Sequence, residues 1–274
     1  MMIEASTQTS EIAKARSVAY GLIACTLREP EDGLIRELGE PERWHDWPVV
    51  IQDMDTDLGY RLADLKHRIA SCGIEELREA HLRLFGHTVR GAVPPYELEY
   101  GQGEINQQTS ELADINGFYS AFGVEMVPGE HERADHVSIE SEFMSVLAAK
   151  EAYALAEENE EAYQIVRHAA HDFLQDHLGH WLPSFARRIE DRDPEGFFGA
   201  AARFALAFVS MDCRQFDIEL GHALLSLRPA NPAVDASIEC GLEQQPPGAR
   251  SDSFVQVGID PSLGGSAEGT DLAD

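Results

Sequence analysis

Residues 132–150 read Glu132-Arg133-Ala134-Asp135-His136-Val137-Ser138-Ile139-Glu140-Ser141-Glu142-Phe143-Met144-Ser145-Val146-Leu147-Ala148-Ala149-Lys150. From His136 the residues His136, Ile139, Phe143, Val146 and Lys150 recur every three or four positions, which places them on one face of a helix. Three ionisable side chains, Glu132, Asp135 and His136, stand where a loop becomes that helix. In or just before a first turn, carboxylates meet unpaired backbone N–H groups and the positive end of the helix dipole, so capping accounts for Asp135. Capping accounts less well for His136, which shares the apolar stripe and therefore points inward or lines a groove.

The same spacing recurs on both sides. Ile12, Ala15, Ala19, Leu22 and Thr26 form a stripe opened by Ser10 as N-cap and closed before Pro30. Leu58, Leu62, Leu65 and Ile69 form a second, and Leu77, His81 and Leu84 a third. Leu112, Ile115, Tyr119 and Phe122 are stopped by Gly123 as the C′ residue. Beyond the central helix, one stripe runs Tyr163, Val166, Ala170, Phe173, His177 and Trp181, and another, entered through Asp193-Pro194, runs Phe197, Ala201, Phe204, Phe208 and Met211. No segment alternates with period two, so the expected fold is all-α, a single-domain helical bundle. The bundle is expected over residues 1–227. After Leu227 the chain turns to Pro246-Pro247-Gly248, Gly264-Gly265-Ser266 and acidic residues, so residues 228–274 read as a disordered acidic tail. The irregular stretch from Gly86 to Gln108, with Pro94-Pro95, is too long for a passive connector and is expected to line a site or hinge the bundle.

With 49 acidic against 21 basic residues the formal net charge is −28, and the lysines are Lys14, Lys66 and Lys150 alone. Such a surface repels phosphate backbones and favours basic partners, although a solvated surface adapted to a salty cytoplasm is the plainer source of the acidity. Cys25, Cys72, Cys213 and Cys240 are far apart, with no Cys-x-x-Cys pair, which fits a reducing compartment. The start Met1-Met2-Ile3-Glu4 lacks a basic region followed by an apolar one, and the run from Val18 to Leu27 is about half a bilayer span, so a cytoplasmic protein is expected. His131, Glu132 and His136 do not make a zinc-protease motif, because the histidines are five apart. One continuous helix cannot bring His168, His171, His177 and His180 to one ion. No phosphate cradle or nucleophile constellation is present in the sequence, and neither metal nor cofactor is expected.

Three landmarks in fixed order carry a resemblance: Asp114-Ile115-Asn116-Gly117-Phe118-Tyr119 through Phe122-Gly123, then Glu132…Asp135-His136, then His177-Leu178-Gly179-His180-Trp181-Leu182-Pro183. Together they are similar to the TorD/DmsD/NarJ family of redox-enzyme maturation chaperones, whose hallmark is an acid, often a proline, a variable residue and then Asp-His. Arg133 stands where the stricter pattern has proline. A further element, an aromatic, two variable residues, then Leu and an aromatic, is matched by Leu84 and Phe85, with His81 at the first aromatic position.

The resemblance implies an all-helical, cofactor-free chaperone and no catalysed reaction. Its partner would be the catalytic subunit of a molybdenum-containing oxidoreductase, held by its N-terminal segment, which carries a twin-arginine signal in part of the family, until molybdopterin is inserted. It implies client or signal-peptide binding by Glu132, Asp135 and His136, together with Leu84, Phe85, Tyr96, Glu97 and Tyr100. Tyr96, Glu97 and Tyr100 offer aromatic faces and a carboxylate to an arginine. A monomer or weak homodimer is expected, with no nucleic-acid partner and no membrane insertion. Two rival readings are a metal-dependent helical enzyme using Glu132, Asp135 and His136, and a helical adaptor for an unrelated partner.

Overall fold

The computed structural model describes residues 2–34, 38, 55–86, 91–101, 105–126 and 132–229, with backbone only for 2–8 and 105–107. These residues fall in one compact unit. The expected tail from residue 230 onward, and His131, lie outside the described residues. The helices are α1 (Met2–Leu27), α2 (Thr56–Ser71), α3 (Ile74–Phe85), α4 (Ile105–Ala121), α5 (Val137–Ala156), α6 (Glu160–Phe173), α7 (Gly179–Glu190) and α8 (Phe197–Gln215). A 3₁₀ turn spans Glu97–Glu99, and a π turn, Leu174–Leu178, joins α6 to α7. No strand occurs among the described residues, so the all-α expectation holds. None of their helices is long and apolar enough to cross a membrane.

Several helices form as their spacing dictates. Leu58, Leu62, Leu65 and Ile69 are the buried residues of α2, and the Asp55 carboxylate caps it by accepting from the N–H groups of Asp57 (2.9 Å) and Leu58 (3.2 Å). The apolar stripe of α4 runs into Gly123, whose φ is +70°. There Val124 N–H donates to Tyr119 O at 2.9 Å and Gly123 N–H to Ser120 O at 3.2 Å, the paired bonds of a Schellman ending. Phe143 on α5 then gathers Phe118 and Tyr119 of α4, Phe122 just after it and Phe173 of α6, with ring centroids 4.8 to 6.4 Å apart. Pairs of this kind contribute about 0.5–1.5 kcal/mol each beyond area burial.

The first helix departs from expectation. It begins at Met2, so Ser10 is an interior residue and not the N-cap; its hydroxyl donates instead to Ala152 O on α5 at 3.2 Å. The cause is tertiary: α1 lies along α5, and packing there extends the helix past the local stop signal. The stripe read from Tyr163 to Trp181 is interrupted by the π turn. Pro183 lacks the N–H that would bond the Gly179 carbonyl, and Gly221 N–H, from the segment after α8, takes that carbonyl at 3.0 Å. A Cβ on Gly179 would lie 2.4 Å from the Leu174 carbonyl, so the turn needs glycine there.

Periodicity also misses buried charge. On α5 both Glu140 and Glu151 are buried. The Arg16 guanidinium on α1 donates to Asp212 of α8 from Nε at 2.7 Å and from Nη2 at 3.0 Å, and also bonds Glu151. Tyr20 donates to Asp212 at 2.7 Å, and Arg167 of α6 donates to Glu151 at 3.2 Å. Two carboxylates and two guanidiniums thus tie four helices, with Arg16 itself 1% exposed. Arg16→Ala, which leaves Asp212 and Glu151 buried without their main partner, should cost about 3–5 kcal/mol in denaturant unfolding. A loss below about 1 kcal/mol would mean that the cluster is solvated.

Glu140 is held differently. Trp181 Nε1–H donates to its Oε2 at 2.9 Å, while burial first and the nearby Glu97 second hold its pKa well above the usual carboxylate range. A carboxyl whose folded pKa exceeds its unfolded one weakens the fold as pH rises above the unfolded value of 4.5. Glu140→Gln keeps an acceptor for Trp181 and removes the titration. Its melting temperature should therefore gain on that of the wild type between about pH 5 and about pH 8, by about 2–4 °C per kcal/mol. A difference that stays constant with pH would show that Glu140 does not carry a raised pKa.

Candidate functional site

Asp135 organises the residues around the acid-x-x-Asp-His run. It is fully buried, and its carboxylate accepts from Arg133 twice, from Nε at 2.8 Å and Nη2 at 2.5 Å, and from the backbone N–H of Leu98 at 3.1 Å. Its own carbonyl accepts from Glu97 N–H at 2.9 Å, and the Pro95 carbonyl accepts from Val137 N–H at 2.9 Å. Tyr96 and His136 thereby pair as an isolated antiparallel bridge. The Pro-Pro segment is thus stitched to the start of α5 by main-chain bonds, and Asp135 is committed to that stitching instead of to capping α5.

The cap is His136. Its Nδ1 accepts from Ser138 N–H at 3.2 Å and lies 2.7 Å from the Ser138 hydroxyl, which leaves the proton on Nε2, 3.7 Å from Glu132 Oε2. Burial is the main cause that brings the His136 pKa down to about 4, so the ring is neutral at physiological pH. Glu132 is half-buried and accepts from the Tyr96 hydroxyl at 2.7 Å. The Arg133 guanidinium covers the Tyr96 ring at 4.8 Å and reaches Glu99 at 3.4 Å. Arg133, standing where the family pattern has proline, therefore makes the two charged contacts that hold Asp135 and Glu99. The Tyr119 hydroxyl donates to Ala134 O at 2.8 Å, which links the Phe118-Tyr119 landmark to the same loop.

The next landmark joins through Glu97. His177, placed by the π turn, faces Glu97 with Nδ1 at 3.2 Å and Asp114 Oδ2 with Nε2 at 3.2 Å. A neutral imidazole donates from one nitrogen only, so two carboxylate partners favour the imidazolium. Burial opposes that, but Glu97 and then Asp114 outweigh it and raise the His177 pKa. Glu97, Tyr100, Glu111, Asp114, His177 and Trp181 border an open cleft of about 460 Å³, which Asp176, His180 and Arg228 also line. Tyr100 and Trp181 stand with ring centroids 5.1 Å apart on its apolar side. The carboxylates suit a cationic side chain, and the buried Tyr100 and Trp181 rings form the wall behind them.

Of the residues read from the sequence, Glu97 and Tyr100 line this cleft, while Glu132, Asp135, His136 and Tyr96 lie behind it in the loop that carries them. Leu84 and Phe85 are buried and do not line it. The Leu84 carbonyl accepts from Val93 N–H at 2.9 Å, and the Phe85 ring packs with His81, Phe185 and Phe198. His81, at the aromatic position of that element, packs as an aromatic, 4.8 Å from Phe85, and burial brings its pKa down to about 4. The capping role read for Asp135 belongs to His136, because Asp135 is drawn to Arg133 and Leu98 N–H. Glu111, Asp114 and Arg228 were missed as site residues. Asp114 stands in a quoted landmark and His177 three residues before another cleft histidine, but nothing in the sequence aligns Glu111 with Arg228 across 117 positions.

Residues 51–187, half of the chain's 274, match the family described as nitrate reductase delta subunit. The chain is 30% identical over 158 residues to the chaperone protein TorD of Vibrio cholerae serotype O1 (strain M66-2), covering 54% of this chain and 70% of that relative. It is 33% identical over 138 residues to the chlorate reductase assembly chaperone protein of Ideonella dechloratans (50% and 69% covered). Against the perchlorate reductase assembly chaperone protein of Dechloromonas aromatica (strain RCB) it is 34% identical over 152 residues (55% and 66% covered). The matched span holds the Leu84-Phe85 element, the Asp135-His136 motif and the His177-to-Trp181 landmark, which the fold brings around one loop and one cleft. The chain belongs to the TorD/DmsD/NarJ family, that of the nitrate reductase delta subunit, and is a chaperone of redox-enzyme maturation rather than an enzyme.

Proposed function

We propose that this protein is the dedicated assembly chaperone of a molybdenum-containing reductase and that it holds the N-terminal segment of the catalytic subunit in the cleft between the Pro94–Gly101 loop and the π turn. Family membership and the relatives named as reductase assembly chaperones support the client class. The observation that carries the binding mode is the composition of the cleft, four acidic residues beside the tilted ring pair of Tyr100 and Trp181. An arginine of the client would set its guanidinium against the carboxylates, and the net charge of −28 would speed the encounter with a basic segment. We place the work in the cytoplasm, where the client would be held until molybdopterin is inserted and export or membrane attachment follows.

In this reading Glu132, Asp135 and His136 serve the client indirectly. Their bonds to Tyr96, Leu98 and Ser138 fix the loop that presents Glu97 and Tyr100. Leu84 and Phe85 anchor the other end of the same segment through Val93 and its packing. The cost of ordering the loop is met before the client arrives, which raises affinity without new contacts.

The test is co-expression of the chaperone with the catalytic subunit of a molybdenum-containing reductase from the same organism. Intact client should be recovered loaded with molybdopterin only when the chaperone is present, and a client lacking its first about 30 residues should neither co-purify nor load. Full cofactor content without the chaperone would overturn the proposed function. Co-purification of the truncated client would overturn the N-terminal binding mode.

A further inference from the structure

After α8 the chain runs back over α7 as a strap. Gly221 N–H bonds the Gly179 carbonyl freed by Pro183, and a Cβ at Gly221 would sit 1.8 Å from the His180 carbonyl, so the approach requires glycine. The Ser184 hydroxyl then donates to His222 O at 2.7 Å and accepts from Leu225 N–H at 2.7 Å. Finally Gly101 N–H donates to Ser226 O at 2.8 Å and Arg228 N–H to Glu99 O at 2.9 Å, pairing Tyr100 with Leu227 as an antiparallel bridge.

The strap is held in an unusual way. Between His222 and Pro229 the only buried side chain is a charged one, Arg228, while Leu224 is 75% and Leu227 38% exposed. Arg228 enters the cleft, where its Nε donates to Tyr100 O at 2.9 Å and its Nη2 to Glu111 Oε2 at 2.8 Å. Leu225 packs against the core and its carbonyl accepts from Arg188 at 2.8 Å, but beyond it residues 226–228 are fastened by two main-chain bonds and the Arg228 side chain, with little apolar area to resist removal.

We propose that the Glu111 carboxylate and the Tyr100 carbonyl form a guanidinium subsite, occupied in the free protein by Arg228 and surrendered to an arginine of the client, whose extended segment takes over the backbone edge at Glu99–Gly101. The proposal rests on the reading of this cleft as the client site and adds what its occupant must carry. The chain's own residues 226–228 display the ligand chemistry: an extended backbone, antiparallel to Glu99–Gly101, with an arginine turned into the cleft. An intramolecular occupant lowers apparent affinity by the fraction of molecules in which the site is closed, so weak or non-arginine segments would fail to open it.

The experiment is a fluorescence-anisotropy titration of the full-length protein and its variants. The probe is a labelled synthetic peptide of two adjacent arginines followed by apolar residues, with the lysine version as control. Arg228→Ala should bind the arginine peptide about tenfold more tightly than the wild type, and Arg228→Lys, which keeps the charge but loses the fork, should fall between them. In the Arg228→Ala background Glu111→Gln should weaken binding about tenfold, while with Arg228 present the loss should be smaller, because the intramolecular occupant is loosened too, and the lysine peptide should bind more weakly than the arginine peptide throughout. In the wild type, bound peptide should strip hydrogen-exchange protection from the Arg228 amide. Equal affinity of wild type and both Arg228 variants for a peptide that does bind, or an Arg228 amide that stays protected in the complex, overturns the subsite while leaving the cleft reading intact. No binding to any form overturns the cleft reading and the subsite with it.

Discussion

The Asp135 carboxylate is the constraint on which the site depends. It accepts three bonds from two directions, two from Arg133 and one from Leu98 N–H, at a position with no exposure to solvent. A carboxylate in such a place is tolerated only when its acceptor sites are filled, and an unfilled one costs several kcal/mol. Asp135 thus has few alternatives to holding Leu98 where it is. Leu98 and its neighbours in turn set Glu97 against His177 and Tyr100 against Trp181. The path from motif to cleft is a short one: carboxylate, backbone N–H, 3₁₀ turn, cleft wall.

Two buried polar systems share α5 and differ in kind. Arg16, Asp212 and Glu151 balance charge within the core, far in sequence and closed to solvent, with the half-buried Arg167 at their edge, and together they fix how α1, α5, α6 and α8 meet. Glu140, Glu97, His177 and Asp114 form the other, which is closed at the Trp181 end and open to the cleft at Asp114, whose side chain is 63% exposed. Burial and the nearby Glu97 raise the pKa of Glu140 at the closed end, while Asp114 stands in solvent at the open one.

Helix identity was legible because it rests on apolar spacing that tertiary context reinforces: Leu58 to Ile69, Leu112 to Phe122 with Gly123, and Phe197 to Met211 sit as their period requires. The family motifs lie around the cleft, and Glu97 and Tyr100 line it. What could not be read are pairings set by the fold. Ser10 carries a local cap signal that packing on Ala152 overrides. Periodicity does not mark Glu140 and Glu151 as buried, because their partners, Trp181 and Arg16, lie on other helices. Asp135 and His136 exchanged roles because Leu98, thirty-seven positions upstream, competes for the carboxylate. Arg228 falls one residue past the expected end of the bundle and yet is anchored to Glu99, Tyr100 and Glu111.

The central claim, that the Asp-His motif builds the cleft from behind, is tested most directly by amide hydrogen exchange and arginine-peptide titration on one preparation of Asp135→Ala. The account predicts that the Glu97 and Leu98 amides exchange about ten- to hundredfold faster than in the wild type, matching about 1.5–3 kcal/mol of lost local protection, and that peptide affinity falls with them. Unchanged exchange at Glu97 and Leu98 together with a loss of peptide affinity would contradict it, since Asp135 would then be meeting the client itself.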